Sequence, residues 1–322
     1  MLGNGCPRIG EPGASLATPQ EDASVLPIRY DEKAASGVTR AGETSQTLPN
    51  AALGPCKDGG VLLSGRNPRY RWASRTTLGD AAARRDPGRP NEDFVWARAG
   101  AFVMCDGMGG PGGGAIASRV AACRFGSLAA RSPDLVRLAA LVNRDVLAAA
   151  SAPGGVAGMG TTLCAVVDRG WRPLRVEVVN VGDSRVWLVR NGAVSQLTTD
   201  HTYVQSLIDS GVVDAEDAYG HPRGHLVTRA LGMAELAPAD VVSLTLASGD
   251  RLVLTTDGVH DHVPPDVVCE LLGAVSVSPA ATAAAVVDAV LSYRGRDNAT
   301  VTVVDVLDAS SGSTAVQSSV VA

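Results

Sequence analysis

No two of the six cysteines in this 322-residue chain (Cys6, Cys56, Cys105, Cys123, Cys164 and Cys269) stand in a CxxC spacing. That argues against a cysteine-built metal or redox centre. Four of the thiols lie inside apolar segments, where they pack as small hydrophobes, and all are expected to be reduced and structural. Charge is sparse as well: 19% of residues are Asp, Glu, Lys or Arg and the net charge is -5. The charge balance therefore gives no reason to expect nucleic acid or a membrane surface as a partner; a protein or small-molecule substrate suits it better. No basic stretch followed by an apolar run opens the chain, and no apolar segment approaches the roughly 20 residues needed to span a bilayer. A cytoplasmic location is expected. No internal repeat is visible. What remains is an ordinary apolar fraction, 45%, in a chain long enough to bury a real core.

Residues 1–65 are rich in Gly, Ala, Ser, Thr and Pro, with few large apolar residues and no sustained period. Such a segment cannot bury enough surface to offset its ordering entropy, so a disordered extension is expected there, and a disordered tail over 309–322. Between them, over 66–308, short β-rich runs alternate with helical stretches. Strands are predicted at 70–77, 94–97, 101–105, 162–167, 175–181, 185–190, 241–246, 251–255 and 300–305. Asn191-Gly192 marks a hairpin, because that pair accepts the positive φ angles of a type I′ turn. Helices are predicted at 114–130, 133–150, 203–210, 265–272 and 279–293, several opening on Ser or Pro. The pattern suggests an α+β layered fold with an antiparallel β-sandwich at its centre.

Five short segments place acidic residues at strand ends or turns: Asn91-Glu92-Asp93, Asp106-Gly107-Met108-Gly109-Gly110, Gly182-Asp183-Ser184-Arg185, Asp257-Gly258 and Asp297-Asn298. Any one Asp-Gly pair is first of all a turn signal. The set asks for more, because Asp106, Asp183 and Asp257 each follow an apolar run and would emerge at the ends of core strands. Carboxylates gathered in this way raise one another's pKa unless a multivalent cation lies between them. With neither Cys nor His in the five segments, the hard cations Mg(II) and Mn(II) fit best. Two such ions sharing one carboxylate would turn a bridging water into a hydroxide nucleophile for in-line attack on a phosphoryl group.

The segments Asn91-Glu92-Asp93-Phe94, Asp106 to Gly110, Gly158-Met159-Gly160-Thr161-Thr162, Val181 to Arg185, Thr256-Asp257-Gly258-Val259 and Arg296-Asp297-Asn298-Ala299-Thr300-Val301 come in one order. From Tyr70 to Asp305 this order and its spacings resemble the metal-dependent type 2C serine/threonine protein phosphatases in their compact bacterial form. The resemblance implies two central antiparallel sheets flanked by helix pairs, a four-layer α-β-β-α sandwich with the metals in a cleft at one end. It implies that Asp106 bridges two ions, that the Gly107 carbonyl binds one of them, and that Asp257 and Asp297 hold the other. Glu92 and Asp93 would act directly or through metal-bound waters, and Asp183 would join Asp257 in holding a third, weaker ion. The implied substrates are phosphorylated proteins, targets of a bacterial Ser/Thr kinase, and the implied form is a monomer.

Two positions depart from the family pattern. The phosphate-binding arginine usually lies one residue upstream of Arg89, where this chain has Gly88; Arg89 is the first candidate and Arg85 the second, since a guanidinium fork grips phosphate oxygens in pairs. Met108 stands where animal members carry His, and a thioether cannot donate a proton; a metal-bound water is the expected donor instead. Arg185 is read as one half of a structural ion pair. The histidines (His201, His221, His225, His260 and His262) are read as packed or exposed rather than as ligands, although His260 lies close after Asp257. The glycine run 107–114 lacks a P-loop ending and is read as backbone kept bare beside the metals. The polar, turn-rich stretch 200–231 resembles the family's flap and is expected to gate access or select substrates. A degenerate module that only binds phosphoproteins would have lost ligands, and none is missing; a phosphomonoesterase for small molecules would share the whole set.

Overall fold

The computed structural model describes residues 62–79, 90–98, 100–110, 112–171 and 173–307. Most of the expected extension, the tail 309–322, Arg85 and Arg89 lie outside the described residues. The described part falls within one compact unit, Pro49–Ala322. Its first strand, β1 (Leu62–Arg66), starts inside the segment assigned to the extension, so the folded region opens earlier than composition suggested. The reason is pairing: all five of its residues lie against β2 (Tyr70–Thr77) at a sheet edge.

Two antiparallel sheets form the centre. One runs in the order β1, β2, β13 (Ala299–Val306), β12 (Arg251–Thr255), β9 (Arg185–Arg190) and β10 (Ala193–Gln196). The other runs β11 (Asp240–Leu246), β8 (Leu174–Val181), β7 (Leu163–Trp171), β4 (Ala101–Cys105) and β3 (Phe94–Arg98). A two-residue ladder joins β5 (Gly107–Met108) to β6 (Gly160–Thr161). The β9–β10 hairpin turns on Asn191 at φ 54° and Gly192 at φ 81°. Both angles are the left-handed ones that the Asn-Gly pair was expected to supply.

Each interior face alternates side chains into a shared apolar layer, as a period of two requires. Between the sheets, Trp72, Met104, Val166, Val178, Val186, Leu252 and Val304 interlock, and Phe102 meets Tyr70 and Trp72 edge-on at 5.5 and 6.2 Å. Outside the second sheet lie α1 (Gly113–Ala129) and α2 (Leu135–Ser151); the small residues Ala117, Ala121 and Ala122 let α1 approach closely around the fully buried Phe125. The Asp134 carboxylate caps α2 by accepting from the Arg137 amide at 3.0 Å, the usual way to satisfy a helix's first free N–H groups. Outside the first sheet, α5 (Pro265–Gly273) and α6 (Pro279–Ser292) cover Val253, Val301 and Val303, with the short helix α4 (Asp257–His260) beside them. The Ser278 hydroxyl caps α6, with Pro279 in its first turn. The layers are therefore helix, sheet, sheet, helix, as the resemblance implied. The segment after β10 carries α3 (Tyr203–Asp209) and a single 3-10 turn, Ala215–Asp217, before β11.

Candidate metal centre

Strands β4, β8 and β12 all finish at one end of the sandwich, and Asp106, Asp183 and Asp257 follow them directly or one residue later. Together with Glu92, Gly107, Met108, Thr162, His225 and Asp297 they line a cleft of about 880 Å³. Of the predicted site residues, Asp93 alone among the described ones lies behind this lining, with 4% of its surface exposed.

The backbone around Asp106 is pinned by residues to which sequence reasoning gave no role. The Asp106 amide donates to the Thr162 hydroxyl at 2.9 Å, the Asp106 carbonyl accepts from the Thr161 hydroxyl at 2.7 Å and the Thr162 amide at 2.8 Å, and the Thr162 and Ser184 hydroxyls are 2.8 Å apart. The Gly158–Thr162 and Val181–Arg185 motifs are thus structural supports that converge on the aspartate from two strands. Behind it, Asp93 accepts at Oδ2 from Thr256 at 3.0 Å and Thr300 at 2.6 Å. The Asn298 side chain accepts from the Glu92 amide at 2.8 Å. All of these residues stand inside the motifs singled out above; their hydrogen-bond roles needed the fold to bring distant segments together.

Charge is left uncompensated here. Asp106 lies between Asp93 and Asp257, within hydrogen-bonding reach of both carboxyls. Burial, and after it the charges of Asp93, Asp257 and Asp183, hold the Asp106 carboxyl well above the usual carboxylate range. Asp257 is raised in the same way, by burial and then by Asp183 and Asp297. Burial also pushes Asp93 up to about 7 against the two threonine hydroxyls, and Asp183 to about 7 with help from Asp200 and Asp261. Oδ1 of Asp93 and Oδ1 of Asp257 are buried without a hydrogen-bond partner. A buried polar atom left in this way is costly unless something outside the chain answers it.

A hard divalent cation fits. The donors are all oxygens, two of them are orphaned, and each neighbouring carboxylate opposes the ionisation of the next. Among the described residues no three Asp, Glu, His or Cys side chains are grouped closely enough to hold an ion by themselves.

Other expectations fare as follows. Arg185 grips Asp200 with two nitrogens, at 2.6 and 3.0 Å, the structural pair foreseen for it. His262 bonds the Gly258 carbonyl with one ring nitrogen and accepts from the Arg296 amide with the other, which leaves it no lone pair for a metal. His260 is buried, and burial together with Arg185 and His262 pushes its pKa well below the usual value. His225, read from the sequence as packed or exposed rather than as a ligand, is exposed and lines the cleft. Two glycines of the run are bare for each other's sake: a Cβ on Gly107 would run into the backbone of Gly114, and one on Gly114 into that of Gly107.

Comparison with known proteins matches residues 98–307 to the family described as Stage II sporulation protein E (SpoIIE). The serine/threonine phosphatase Stp of Listeria monocytogenes is 31% identical over 213 residues, 63% of this chain and 83% of that protein. The chain belongs to the metal-dependent type 2C protein phosphatases. Another type 2C phosphatase, PstP of Mycobacterium tuberculosis, is 36% identical over 250 residues, 76% of this chain but 46% of its own length. This chain thus spans about half the length of that curated relative. The crystal structure of the PstP catalytic domain in complex with two manganese ions superposes with a TM-score of 0.63 at 34% identity, covering 74% of this chain and 99% of that one. Among the described residues, no helix is long and apolar enough to cross a membrane.

Proposed function

We propose that the chain removes phosphate from phosphoserine and phosphothreonine in proteins, with two Mn(II) or Mg(II) ions in the core of the cleft and a third, weaker one beside them. The observation that carries this reading is the set of buried, mutually repelling carboxylates at one end of the sandwich, with Oδ1 of Asp93 and Oδ1 of Asp257 unanswered by any group among the described residues. Asp106 and the Gly107 carbonyl would hold one ion and Asp106, Asp257 and Asp297 the other, with Glu92 and Asp93 acting directly or through bound waters; Asp183 and Asp257 would hold the third. When bound, the ions supply the charge neutralisation and Lewis acidity that make water nucleophilic near neutral pH.

The chain's own groups do the rest. Thr161, Thr162 and Ser184 fix the Asp106 backbone, and Thr256 and Thr300 orient Asp93. Met108 to Gly110 and Gly112 leave backbone, with few side chains, along the wall where a phosphoryl group would enter. Arg89 would meet the phosphate, since its neighbour Pro90 lines the cleft. None of the described lining residues is Cys, which favours direct attack by water over a thiol-linked intermediate. Kinase-modified proteins in the cytoplasm are the natural substrates on this reading, and the four free thiols of Cys105, Cys123, Cys164 and Cys269 suit a reducing compartment.

The test is phosphate release from a phosphothreonine peptide with and without Mn(II), beside an Asp257→Asn variant. Release that needs the metal and falls by about 100-fold or more in the variant supports the hydrolase. A wild-type protein that binds peptide and metal yet releases nothing would instead be a phosphoprotein-binding module.

A further inference from the structure

Alcohol oxygens leave phosphorus poorly unless a proton reaches them, and general acids typically contribute about 100-fold or more to such steps. Met108, beside Asp106 in the cleft wall, has no proton to give. Histidine is the side chain most often suited to that task near neutral pH. Four of the five histidines are engaged elsewhere or buried. His201 accepts from the Gly182 amide at 3.1 Å and faces Asp240 at 3.2 Å; His221 accepts from the Arg223 amide at 3.1 Å; His262 has both ring nitrogens engaged; His260 is enclosed and does not line the cleft.

His225 is different. It is exposed, it lines the same cleft as Asp106, Asp183 and Asp257, and its backbone is fixed. Its carbonyl accepts from the Val227 amide at 3.1 Å, the next carbonyl, of Leu226, accepts from the Tyr203 amide at 2.8 Å, and Val227 forms a bridge with Thr202. Asp261 stands near enough to feel its charge, and Asp183 and Asp257 face the same space.

We propose that His225, carried to the cleft by the 200–231 segment, is the catalytic residue that protonates the departing serine or threonine oxygen. This rests on the phosphatase reading above. In the step, the water oxygen bonds to phosphorus, the phosphorus–oxygen ester bond breaks, and the imidazolium proton passes to the alcohol oxygen. A proton from the attacking water returns the ring to its starting state.

Leaving-group dependence tests this. An aryl phosphate releases a phenolate that needs no proton, whereas a phosphothreonine peptide releases an alcohol that does. His225→Ala is expected to lower kcat on the peptide by about 100-fold, and on p-nitrophenyl phosphate far less, by roughly threefold, with Mn(II) affinity and Tm kept. His225→Gln, a hydrogen-bond donor but no acid, should behave like the alanine variant. Equal losses on both substrates, a loss confined to KM, an unaffected peptide rate or rescue by glutamine would each overturn the assignment. A wild-type protein inactive on both substrates brings down the phosphatase reading itself, and the donor with it. Wild-type activity on both with no leaving-group split in the variants refutes the donor alone.

Discussion

The two ends of the sandwich treat buried carboxylates in opposite ways. Away from the cleft, arginine answers each one: Arg69 meets Asp168 at 2.6 Å, Arg190 meets Asp250 at 2.6 Å, and Asp305 takes Arg251 at 2.7 Å and Arg71 at 2.8 Å. At the cleft end, Asp93 accepts from two threonine hydroxyls, Asp106 and Asp257 face other carboxylates, and Arg185, whose charge Asp183 feels, is committed to Asp200. Burying paired charges is roughly neutral for stability, and burying unpaired ones is costly. One end is therefore built to hold the fold together, and the other keeps an electrostatic debt that a proton or an added cation discharges. The same fold, strand for strand, serves both.

The largest effect is expected at the paired end. Arg251 is 1% exposed and also donates to Thr282 and to the carbonyls of Ala274 and Val277. Arg251→Met should cost about 3–5 kcal/mol in urea unfolding; a loss below about 1 kcal/mol would erase the contrast between the two ends.

A smaller effect, of the opposite kind, is expected from pH in metal-free protein. Folded Asp93 and Asp183 hold protons up to about pH 7, whereas carboxyls in the unfolded chain lose them near 4. Between those values the folded state binds more protons, so stability present below about pH 4 is lost as pH rises through 7, on the order of a few kcal/mol in total. Calorimetry at several pH values measures this fall, and saturating Mn(II) should abolish it.

Smallest is Asp106→Asn without metal. Replacing a carboxyl whose ionisation burial and its neighbours oppose by a neutral amide should raise Tm at neutral pH and above, by about 2–4 °C for a gain near 1 kcal/mol, while the rise in Tm that Mn(II) gives the wild type disappears. A lower Tm in the metal-free variant would mean that the carboxylate is satisfied within the chain.

Much of this was legible in the sequence. Alternation located β2, β4, β9 and β12 to the residue, and Asn191-Gly192 located the hairpin, because these are local matters of period and φ. Of the cleft carboxylates, Asp106, Asp183 and Asp257 were legible because each follows an apolar run. β1 was not, since Leu62–Arg66 takes its strand character from its partner rather than from its own composition, and neither was the two-residue ladder of Gly107–Met108 with Gly160–Thr161. Nor were the threonines: nothing local says that Thr300 reaches Asp93 across 207 positions, or that Gly107 and Gly114 are bare for each other's sake. His225 escaped notice for a related reason, since only the return of the chain at Thr202 and Val227 brings it to the cleft.

That return has a consequence for how such an enzyme changes over generations. Thr202 and Val227 close the flap at its neck, and Leu231 exchanges amide and carbonyl bonds with Thr161 at 2.9 and 2.8 Å just beyond. Everything between the tied ends can lengthen, shorten or be exchanged without a single carboxylate moving. The carboxylates are carried by the sandwich, and His225 by a segment tied to it only at these two crossings.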